Sequence, residues 1–499
     1  MNESQYNTLC SECDRILKIE PEAVAIEWLH IRREHPLSIA PYSLLFNNSG
    51  FFLQLPTILN LLKRLVTSIS GILARIIICI FSPKQVYYIN KAVSQVDVLF
   101  LSHLISETQF DSKEDFYFAH MPMFCKNKGL KSALILIDQV DLASRKNIKR
   151  FKIDVPVFLL PSRASLWLEM KVILKAIKIF IRILKIPSPQ NTLSKYVIRF
   201  AAVEALSGAT CSALRIQNQV NQIMDHKNPK KLILTWEGFA WERLISALTK
   251  KNGRKIESIG YQHAALSRLQ HASCRPLGRE LDPDRLWVSG LTGYKRLLKS
   301  TFSPTLGVLI IGSGKNLKTL TNVKLKKHPC ILVVPEGILS ECSILFNFCI
   351  SYALKNPKVK FIWRLHPSLD FNKIFTHFPN FRNRPNTINI STGNLDTDIA
   401  RSEYVLYRGS STVVKALASG VRPIYLHQPG EMTIDPIYDL TQWKLTITKP
   451  EDLKITACKK DFYLKKEREH AIDYAQSFFT PISNDKILKT MRNIFKETN

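Results

Sequence analysis

Short apolar runs alternate with helix-length stretches along the chain from about residue 96. Each run is short enough to be a buried strand, and each interval is long enough for a crossover helix. In the first half these runs lie at residues 96–101, 133–137, 155–160, 231–235, 255–260 and 285–289. This rhythm predicts a parallel sheet with helices on both faces.

The same rhythm starts afresh after a segment at residues 303–314 that contains proline and glycine. The later runs lie at residues 330–334, 358–363, 387–390, 404–407 and 423–426. We therefore predict an α/β protein with two doubly wound, Rossmann-like domains that face an interdomain cleft. The predicted domains are residues 91–302 and 303–470, and a C-terminal helix follows at residues 471–499.

Residues 1–90 lack glycine-punctuated strand signals and are predicted to form a helical N-terminal extension with no recognisable chemistry. Within this region, residues 65–81 are strongly apolar. Arg75 interrupts the apolar run, and Lys63 and Arg64 precede it. A bilayer crossing needs about 20 residues with almost no charge, so we do not expect this segment to span a membrane.

A second amphipathic segment covers residues 167–184. Its basic residues recur at alternating steps of four and three residues, which places them along one side of a helix: Lys171, Lys175, Lys178, Arg182 and Lys185. Such a helix suits the interface of an anionic membrane. An ordinary domain helix with a solvated basic face has the same periodicity, and both interpretations stay open here.

Composition narrows the classes of partner. The chain has 499 residues, and 70 Lys and Arg against 41 Asp and Glu give a formal charge of +29. A surface of that charge favours polyanions, anionic lipid headgroups or phosphorylated substrates. The ten cysteines show neither the spacing of a disulfide framework nor a secretory leader before them, so we expect a cytoplasmic protein.

In paired α/β domains, ligands bind beyond the carboxyl ends of the strands, so residues that directly follow predicted strands are the candidates for chemistry. Trp236, Glu237 and Gly238 follow the run at 231–235. A carboxylate on such a turn suits a general base, with the glycine allowing tight geometry and the tryptophan excluding water. Alternatively, Glu237 only stabilises a helix N-terminus.

Tyr261, Gln262 and His263 follow the run at 255–260. Gln262 and His263 are candidates for contacts to an acceptor or a nucleobase, and His263 competes with Glu237 as the base. The alternative is a buried histidine with a structural partner.

Arg364, Leu365, His366 and Pro367 follow the run at 358–363. Alternation along a strand places Arg364 and His366 on one side, where they suit a diphosphate or a leaving phosphate. His366 would then supply a proton or a hydrogen bond as negative charge develops.

The last candidate is the segment that follows the run at 404–407 and opens a helix. It consists of Arg408, Gly409, Ser410, Ser411 and Thr412. Hydroxyls and free backbone amides at a helix N-terminus bind anions, and a glycine lets a phosphate approach the backbone. Plain helix capping is the alternative interpretation.

Two further acidic patterns occur in the sequence. Glu336, in a Pro-Glu-Gly sequence after the run at 330–334, is a rival acidic site on the donor side. Two Asp-x-Asp sequences occur, at residues 282–284 and 396–398, but both lie away from the predicted strand ends. We therefore expect no metal site and no cofactor, because a cleft can neutralise a leaving phosphate with Arg, His and helix amides.

Together, the motifs at residues 236–238, 261–263, 364–367 and 409–412 resemble those of bacterial surface-polysaccharide glycosyltransferases of the GT-B class. The sialyltransferase and polysialyltransferase group has similar acidic-acidic-Gly, His-Pro and Ser-Ser/Thr motifs. Capsular Kdo transferases and CDP-glycerol glycerophosphotransferases are similar in the C-terminal half, and a family of surface carbohydrate biosynthesis proteins is similar in the N-terminal half.

The resemblance implies a metal-independent GT-B enzyme and a set of residue roles. Glu237 would deprotonate the acceptor, His366 would assist the departing nucleotide, and Ser410 with Ser411 would bind its phosphate. Trp236 departs from the pattern, because it stands where the group has a first acidic residue. The co-substrate would be a nucleotide-sugar, CMP-linked by preference, and the acceptor a lipid-linked glycan of O-antigen, lipopolysaccharide or capsule at the inner face of the cytoplasmic membrane.

Three alternatives stay open at this stage. One is a CDP-glycerol or polyol-phosphate transferase of the same fold. Another is a non-catalytic basic protein that binds a membrane or nucleic acid, although aromatic residues are not interleaved with Lys and Arg, and no P-loop glycine pattern occurs, so nucleic acid is not the expected partner. The third is a non-catalytic scaffold of a polysaccharide assembly complex.

Overall fold

The computed structural model describes residues 1–46, 51–81, 87–89, 95–140, 151–162, 164–187, 191–251, 253–315, 317, 329–455 and 462–496. The chain forms two sheets, and each sheet carries an apolar core on both of its faces. The predicted α/β class with two doubly wound domains is confirmed. The predicted boundary between residues 90 and 91 lies outside the described residues.

The first sheet has eight strands: β1 Tyr87–Ile89, β2 Val98–Leu104, β3 Ser132–Asp138, β4 Val157–Leu160, β5 Lys231–Thr235, β6 Glu257–Gln262, β7 Arg285–Val288 and β8 Val308–Ile310. Their order is β1-β4-β3-β2-β5-β6-β7-β8, and all pairs are parallel except β1 with β4. The direction of strand addition reverses between β2 and β5. A crevice beyond the strand ends at such a reversal is where α/β proteins bind ligands.

The part of the chain up to residue 298 contributes nine described helices to this sheet: α1 Glu3–Ile19, α2 Pro36–Ile39, α3 Phe51–Phe81, α4 Met121–Asn127, α5 Leu166–Leu184, α6 Thr192–Ala205, α7 Gly208–Lys227, α8 Ala240–Leu248 and α9 Leu291–Leu298. Helix α1 and the 3₁₀ turns that follow it pack in one apolar core with α6, α7 and α8. The N-terminal region is therefore part of the first domain. The prediction that residues 1–90 are helical is wrong at residues 87–89, which form the edge strand β1.

The second sheet has six parallel strands: β9 Cys330–Val333, β10 Lys360–Trp363, β11 Ile388–Ile390, β12 Tyr404–Tyr407, β13 Arg422–Leu426 and β14 Leu445–Ile447. Their order is β11-β10-β9-β12-β13-β14, so the reversal lies between β9 and β12. Its helices are α10 Leu339–Lys355, α11 Phe371–His377, α12 Leu395–Ala400, α13 Thr412–Ala418 and α14 Phe462–Gln476. Strand β12 is buried at every position because helices cover both faces of the sheet.

The end of the chain returns from the second domain to the first. Helix α14 packs on the second domain, whereas α15 (Asn484–Lys496) inserts Ile487 and Met491 into the core beneath the first sheet. The connecting backbone passes so close to Gly290 and Gly312 that a Cβ atom at either position would clash with its carbonyl oxygens. The two domains are thus joined by two crossings of the chain.

Two predicted boundaries are wrong. Strand β8 belongs to the first sheet, so the first domain extends beyond residue 303; this strand is too short, and too close to glycines, to have been predicted. The predicted boundary at residues 470 and 471 falls inside α14, and residues 471–499 form the end of α14, a connection and α15 rather than one helix.

Candidate functional site

A cleft of about 670 Å³ lies at the strand reversal of the second sheet. The loops after β9, β10 and β12 meet there, because the carboxyl ends of parallel strands share one edge of the sheet. The predicted site residues that line the cleft are Glu336, Arg364, His366, Gly409, Ser410, Ser411 and Thr412. The structure therefore brings the predicted donor-side residues together, with the exception of Arg408.

His366 is held in a defined tautomer. Its Nδ1 atom accepts a hydrogen bond from the backbone N–H of Ser368 at 3.2 Å and lies 2.8 Å from the Ser368 hydroxyl. Burial lowers the pKa of His366, although the charge of Glu336 opposes that effect. At neutral pH the ring is uncharged, so its proton is on Nε2. This N–H is available as a hydrogen-bond donor.

Glu336 is the charged centre of the same cleft. Its Oε2 atom lies 2.8 Å from His35 Nε2, and its Oε1 atom lies 3.4 Å from Arg33 Nη1. Burial alone would raise the pKa of Glu336, but the contact with His35 and the charges of Arg33 and Arg408 hold it below its ordinary value. The carboxylate also packs on Gly409, where a Cβ atom would come within 2.6 Å of it. Gly409 is needed for that close approach.

Three hydroxyl groups face the cleft at the start of α13. Ser410 is buried, Ser411 is exposed, and Thr412 is half-buried. Ser411 is the residue that caps α13, yet its side chain makes no capping hydrogen bond, and within the described part of the chain none of the three side chains has a hydrogen-bond partner. Plain capping therefore does not explain these hydroxyls, and all three are available to a ligand.

The two predicted arginines are occupied by protein partners. Arg364 donates through Nη1 to Asp398 at 2.6 Å and to the Gly393 carbonyl at 2.8 Å, so only part of its guanidinium borders the cleft. Arg408 is buried and binds Glu341 at 2.6 Å and also Glu431. Arg408 is therefore not placed for the predicted phosphate contact, because it does not line the cleft and its charge neutralises two carboxylates.

The strand reversal of the first sheet carries Glu237. Its Oε1 atom lies 3.1 Å from His263 Nε2, and its side chain is about one-third exposed. Burial would raise the pKa of Glu237, but the contact with His263, helped by the charge of Arg32, lowers it to about 2. Glu237 is therefore ionised at every physiological pH.

A neighbouring carboxylate does the capping that Glu237 was suspected of doing. Glu242 accepts hydrogen bonds from the backbone N–H groups of Glu237, Gly238 and Phe239 at the start of α8. Gly238 has a φ of 89°, and a Cβ atom there would meet the backbone of Ser273. The Glu237 side chain is thereby left free to face the cleft side of the domain.

Two predicted auxiliary residues turn inward instead. Trp236 is fully buried, donates from Nε1 to the Ser273 carbonyl, and packs under the Arg243 guanidinium at 4.5 Å. Gln262 is buried and donates to the Ala264 carbonyl. Gln262 is therefore not placed to contact an acceptor or a nucleobase, and Trp236 packs in the core rather than over the mouth of the cleft.

Histidine and tyrosine side chains that were not predicted surround the Glu237–His263 pair. The ring of Tyr117 lies 4.6 Å from that of His263 and 5.6 Å from that of His103. Burial lowers the pKa of His103 to about 4, so it is neutral. The only sequence signal for His103 was a histidine inside an apolar strand, and Tyr117 had no signal.

The N-terminal region also reaches the donor cleft. Arg33, Glu34 and His35 line it, and so do Ala264 and Ala265, which directly follow His263. The pair formed by Glu237 and His263 therefore adjoins the cleft through the chain, although neither residue lines it. No sequence pattern pointed to Arg33 or His35, because they approach the second domain only in the folded chain.

Across the described ranges, no group of three or more His, Cys, Asp or Glu side chains is placed to hold a metal ion. The Asp-x-Asp carboxylates have protein partners: Asp282 binds Arg243, Asp284 binds Lys250, Asp396 binds Lys415 and Asp398 binds Arg364.

The fold and the cleft define an α/β protein of GT-B architecture, with two Rossmann-like domains and a crevice at the strand reversal of the second. No protein-family model matches the chain, and no curated protein matches it significantly. Many solved structures are similar in fold, and three of them illustrate the likeness. MnaA of S. aureus, in a structure with UDP, has 10% identity and a TM-score of 0.46 over 81% of this chain and 97% of its own.

The second structure, the glycotransferase of kitacinnamycin, has 9% identity and a TM-score of 0.45 over 77% of this chain and 96% of its own. The third is a UDP-GlcNAc 2-epimerase from Neisseria meningitidis bound to UDP-GlcNAc. It has 11% identity and a TM-score of 0.43 over 80% of this chain and 100% of its own.

Proposed function

We propose that the protein is a GT-B glycosyltransferase that moves a sugar from a nucleotide-sugar, CMP-linked by preference, to a lipid-linked glycan during surface polysaccharide biosynthesis. One observation carries this proposal. A neutral histidine N–H, three unpartnered hydroxyls and a helix start converge in one cleft at the strand reversal of a Rossmann-like sheet. That combination of donors suits a phosphate that gains negative charge as it leaves.

On the donor side, the leaving phosphate would sit between His366 Nε2 and the hydroxyls of Ser410, Ser411 and Thr412. Each of these groups donates a hydrogen bond without carrying a charge, and Arg33 supplies a nearby cation. Glu336 is ionised and would repel a phosphate, so its chemistry suits hydroxyl groups of the ribose or the sugar. We therefore assign Glu336 to the nucleoside or sugar part of the donor.

On the acceptor side, Glu237 would take the proton of the attacking hydroxyl, and His263 would hold the carboxylate in place. The oxygen of the acceptor then bonds to the anomeric carbon as the bond from that carbon to the phosphate oxygen breaks. The exposed third of the Glu237 side chain favours Glu237 over the buried His263 as the group that meets the acceptor. Closure of the two domains would bring the pair against the donor and exclude water.

The location of the reaction is part of the same proposal. A lipid-linked acceptor is presented at a membrane, and a net charge of +29 attracts the anionic inner face of the cytoplasmic membrane. The protein would act there as a peripheral cytoplasmic enzyme, without a resident cofactor.

Nucleotide binding is the first test. In a thermal-shift screen with CMP, CDP, UDP and GDP, we expect CMP to raise the melting temperature most, because a ligand that binds only the native state stabilises it by mass action. The shift should be largely lost in His366→Ala and kept in His377→Ala, a control at an exposed histidine of the same domain. Failure of every nucleotide to shift the wild-type protein would refute the donor assignment.

Sugar transfer is the second test. With a CMP-sugar and membrane lipid extract, Glu237→Gln should lower the transfer rate at least about a hundredfold, the usual loss when a general base is removed. The melting temperature and the CMP shift should stay near their wild-type values. Glu107→Gln, at an exposed residue of the same domain, is the matched control. Wild-type transfer by Glu237→Gln would move the base elsewhere, with His263 next to be tested.

A further inference from the structure

Helix α3 has its apolar side chains exposed and its arginines against the protein, which is the reverse of an ordinary surface helix. Its arginines face the protein: Arg64 forms an ion pair with Glu204 of α6, and Arg75 donates to the Gly208 carbonyl at the start of α7. Its apolar side chains face outward at steps of three and four residues: Leu59, Leu62, Val66, Ile69, Leu73 and Ile77. Each of these six is 46–63% exposed.

This helix is a continuous apolar surface rather than a few scattered side chains. Residues Pro56–Phe81 are long and apolar enough to cross a membrane, and the most apolar part of this helix is not buried in the protein. The expectation that the segment falls short of such a length and composition is therefore wrong. Its two arginines are held by α6 and α7, however, which keeps α3 along the side of the domain rather than across a bilayer.

Helix α5, which packs against α3, carries a second exposed apolar stripe. It consists of Leu166, Trp167, Leu174, Ile177, Ile181 and Leu184. Cations border this stripe, because Lys171, Lys178 and Lys185 each stand four residues after a member of it. A stripe of apolar residues with a basic edge is the pattern of a helix that lies in a lipid interface.

The two ends of the predicted basic stripe of α5 have different surroundings. Lys178 lies 3.5 Å from Glu22, and Arg182 lies 3.2 Å from the same carboxylate, so this end of the stripe is neutralised. The other end lines a cavity of about 290 Å³ between α5, α7 and α8. Its lining is entirely free of carboxylates: Lys171, Lys175, Gln217, Asn218, Asn221, Leu248 and Lys251.

This lysine pocket has the chemistry of a phosphate site. Lys175 donates to the Gln217 side chain at 3.0 Å, and burial together with the charge of Lys251 lowers the pKa of Lys175. Two cations that repel each other across a small cavity are stabilised by an anion placed between them. The amide side chains of the lining add further donors for phosphate oxygens.

We propose that α3 and α5 lie in the surface of an anionic phospholipid membrane, with their apolar stripes among the acyl chains and a lipid phosphate in the lysine pocket. Charge complementarity identifies the occupant, because Lys171 and Lys185 border the exposed stripe of α5 without a carboxylate partner among the described residues, and the lining of the pocket suits an anion. This proposal extends the membrane location given under the proposed function and rests on that location alone, not on the sugar transfer. Vesicle binding can be measured without sugar transfer, so the membrane proposal and the glycosyltransferase proposal can fail separately.

Trp167 provides a direct probe of this face. It is 71% exposed, whereas the other six tryptophans are at most 8% exposed. Vesicles whose acyl chains carry bromine should quench the tryptophan fluorescence of the full-length protein, because bromine quenches on contact, and Trp167→Phe should abolish the quenching. Absence of quenching in wild-type protein that is bound to the vesicles would overturn the proposed orientation.

Sedimentation with vesicles tests the apolar stripe and the charge. We expect binding to vesicles of phosphatidylcholine mixed with phosphatidylglycerol and much weaker binding to phosphatidylcholine alone. The double variant Leu62→Glu with Leu73→Glu should weaken binding at least about tenfold, since two apolar side chains leave the lipid. Leu354→Glu, at a 71% exposed leucine of α10, is the control and should bind like wild type.

Two further experiments distinguish a lipid phosphate from free phosphate and from a second copy of the chain. Lys171→Gln with Lys251→Gln should reduce the preference for anionic vesicles several-fold and leave the melting temperature unchanged. If inorganic phosphate stabilises the wild type but not this variant, and the vesicle preference is unaltered, the pocket takes free phosphate and the lipid assignment falls. If light scattering shows a dimer that Leu62→Glu with Leu73→Glu dissociates, and vesicles are not bound, the face joins two copies instead.

Discussion

At the scale of single residues, the chemistry of the donor cleft depends on which proton each side chain carries. The backbone N–H of Ser368 fixes the His366 ring with its proton on Nε2, and burial keeps that ring neutral. A bound phosphate would oppose this, because its negative charge favours the imidazolium form. Phosphate binding should therefore be coupled to proton uptake by His366.

This coupling predicts how CMP affinity depends on pH. The pKa of free His366 is lowered and a bound phosphate raises it, so CMP affinity should rise as the pH falls through the higher pKa of the complex. The gain cannot exceed about tenfold per pH unit and is complete below the pKa of the free protein. Calorimetric titration of wild type and His366→Gln from pH 7.5 to 5 would measure it as the difference between the two proteins. The difference removes the protonation of CMP itself, which has a phosphate pKa of about 6. Parallel profiles would show that His366 does not contact the phosphate.

At the scale of elements, the last helix belongs to a different domain from the helix before it. Met491 of α15 is fully buried in the core that contains Phe100 of β2 and Trp287 of β7. Helix α14 packs on the second domain, so the connection through residues 477–483 ties the two sheets together. Stability of the first domain should therefore depend on residues from the extreme C-terminus.

The substitution Met491→Ala tests this dependence. Removing a buried methionine side chain typically costs about 2–5 kcal/mol, through lost burial and the cavity left behind. We expect a clear fall in the melting temperature of the transition that reports the first domain, and little change for Lys489→Ala, an exposed neighbour on the same helix. Equal melting temperatures for the two variants would mean that α15 does not contribute to the core.

At the scale of the whole molecule, the N-terminal region links the two domains electrostatically. His35 accepts the backbone N–H of Leu37 at Nδ1, and its Nε2 atom lies 2.8 Å from Oε2 of Glu336 in the second domain. The two side chains are 2% and 11% exposed. Because both are nearly excluded from water, removal of one partner leaves the other poorly solvated.

His35→Ala should accordingly destabilise the protein by about 3 kcal/mol at neutral pH and weaken CMP binding, since Glu336 loses its position. The pKa of Glu336 is lowered in the folded protein, so the stabilising contribution is complete above about pH 4.5 and is lost as the pH falls through the lowered value. The stability gap between wild type and variant should therefore close in acid, as measured by denaturant titration. His35→Gln, whose amide can donate to Glu336, should recover part of both effects. Equal losses in the Ala and Gln variants would point to packing.

Much of the fold and part of the site follow from local pattern. Strands β5 and β12 fall where the apolar runs predict them, because a strand that is buried on both faces is apolar at successive positions, as residues 232–234 of β5 are. Strands β1, β8 and β14 were not predicted, since three residues at a sheet edge give a weak pattern; β11 is equally short and was predicted from the run at 387–390. His366 and Ser410 were found by their places after strands, and the structure puts both in one cleft.

Other site residues could not be predicted because their roles depend on distant parts of the chain. Arg408 was expected at the phosphate, but Glu341 and Glu431 come from separate segments and bind it beneath the cleft. Arg33 and His35 lie some 300 residues before Glu336 and meet it only after folding. The inward turn of Trp236 likewise depends on Arg243 and on the backbone near Ser273.

The sequence by itself determined the doubly wound class, the approximate strands and the positions from which ligand-binding side chains arise. These depend on hydrophobic periodicity and turn residues, which act over a few neighbouring positions. Only the tertiary structure decided which charges face the cleft, which are neutralised within the protein, and that the apolar side of α3 faces outward. Those outcomes depend on burial and on partners remote in the chain, since an ion pair or an exposed face exists only after the elements have packed.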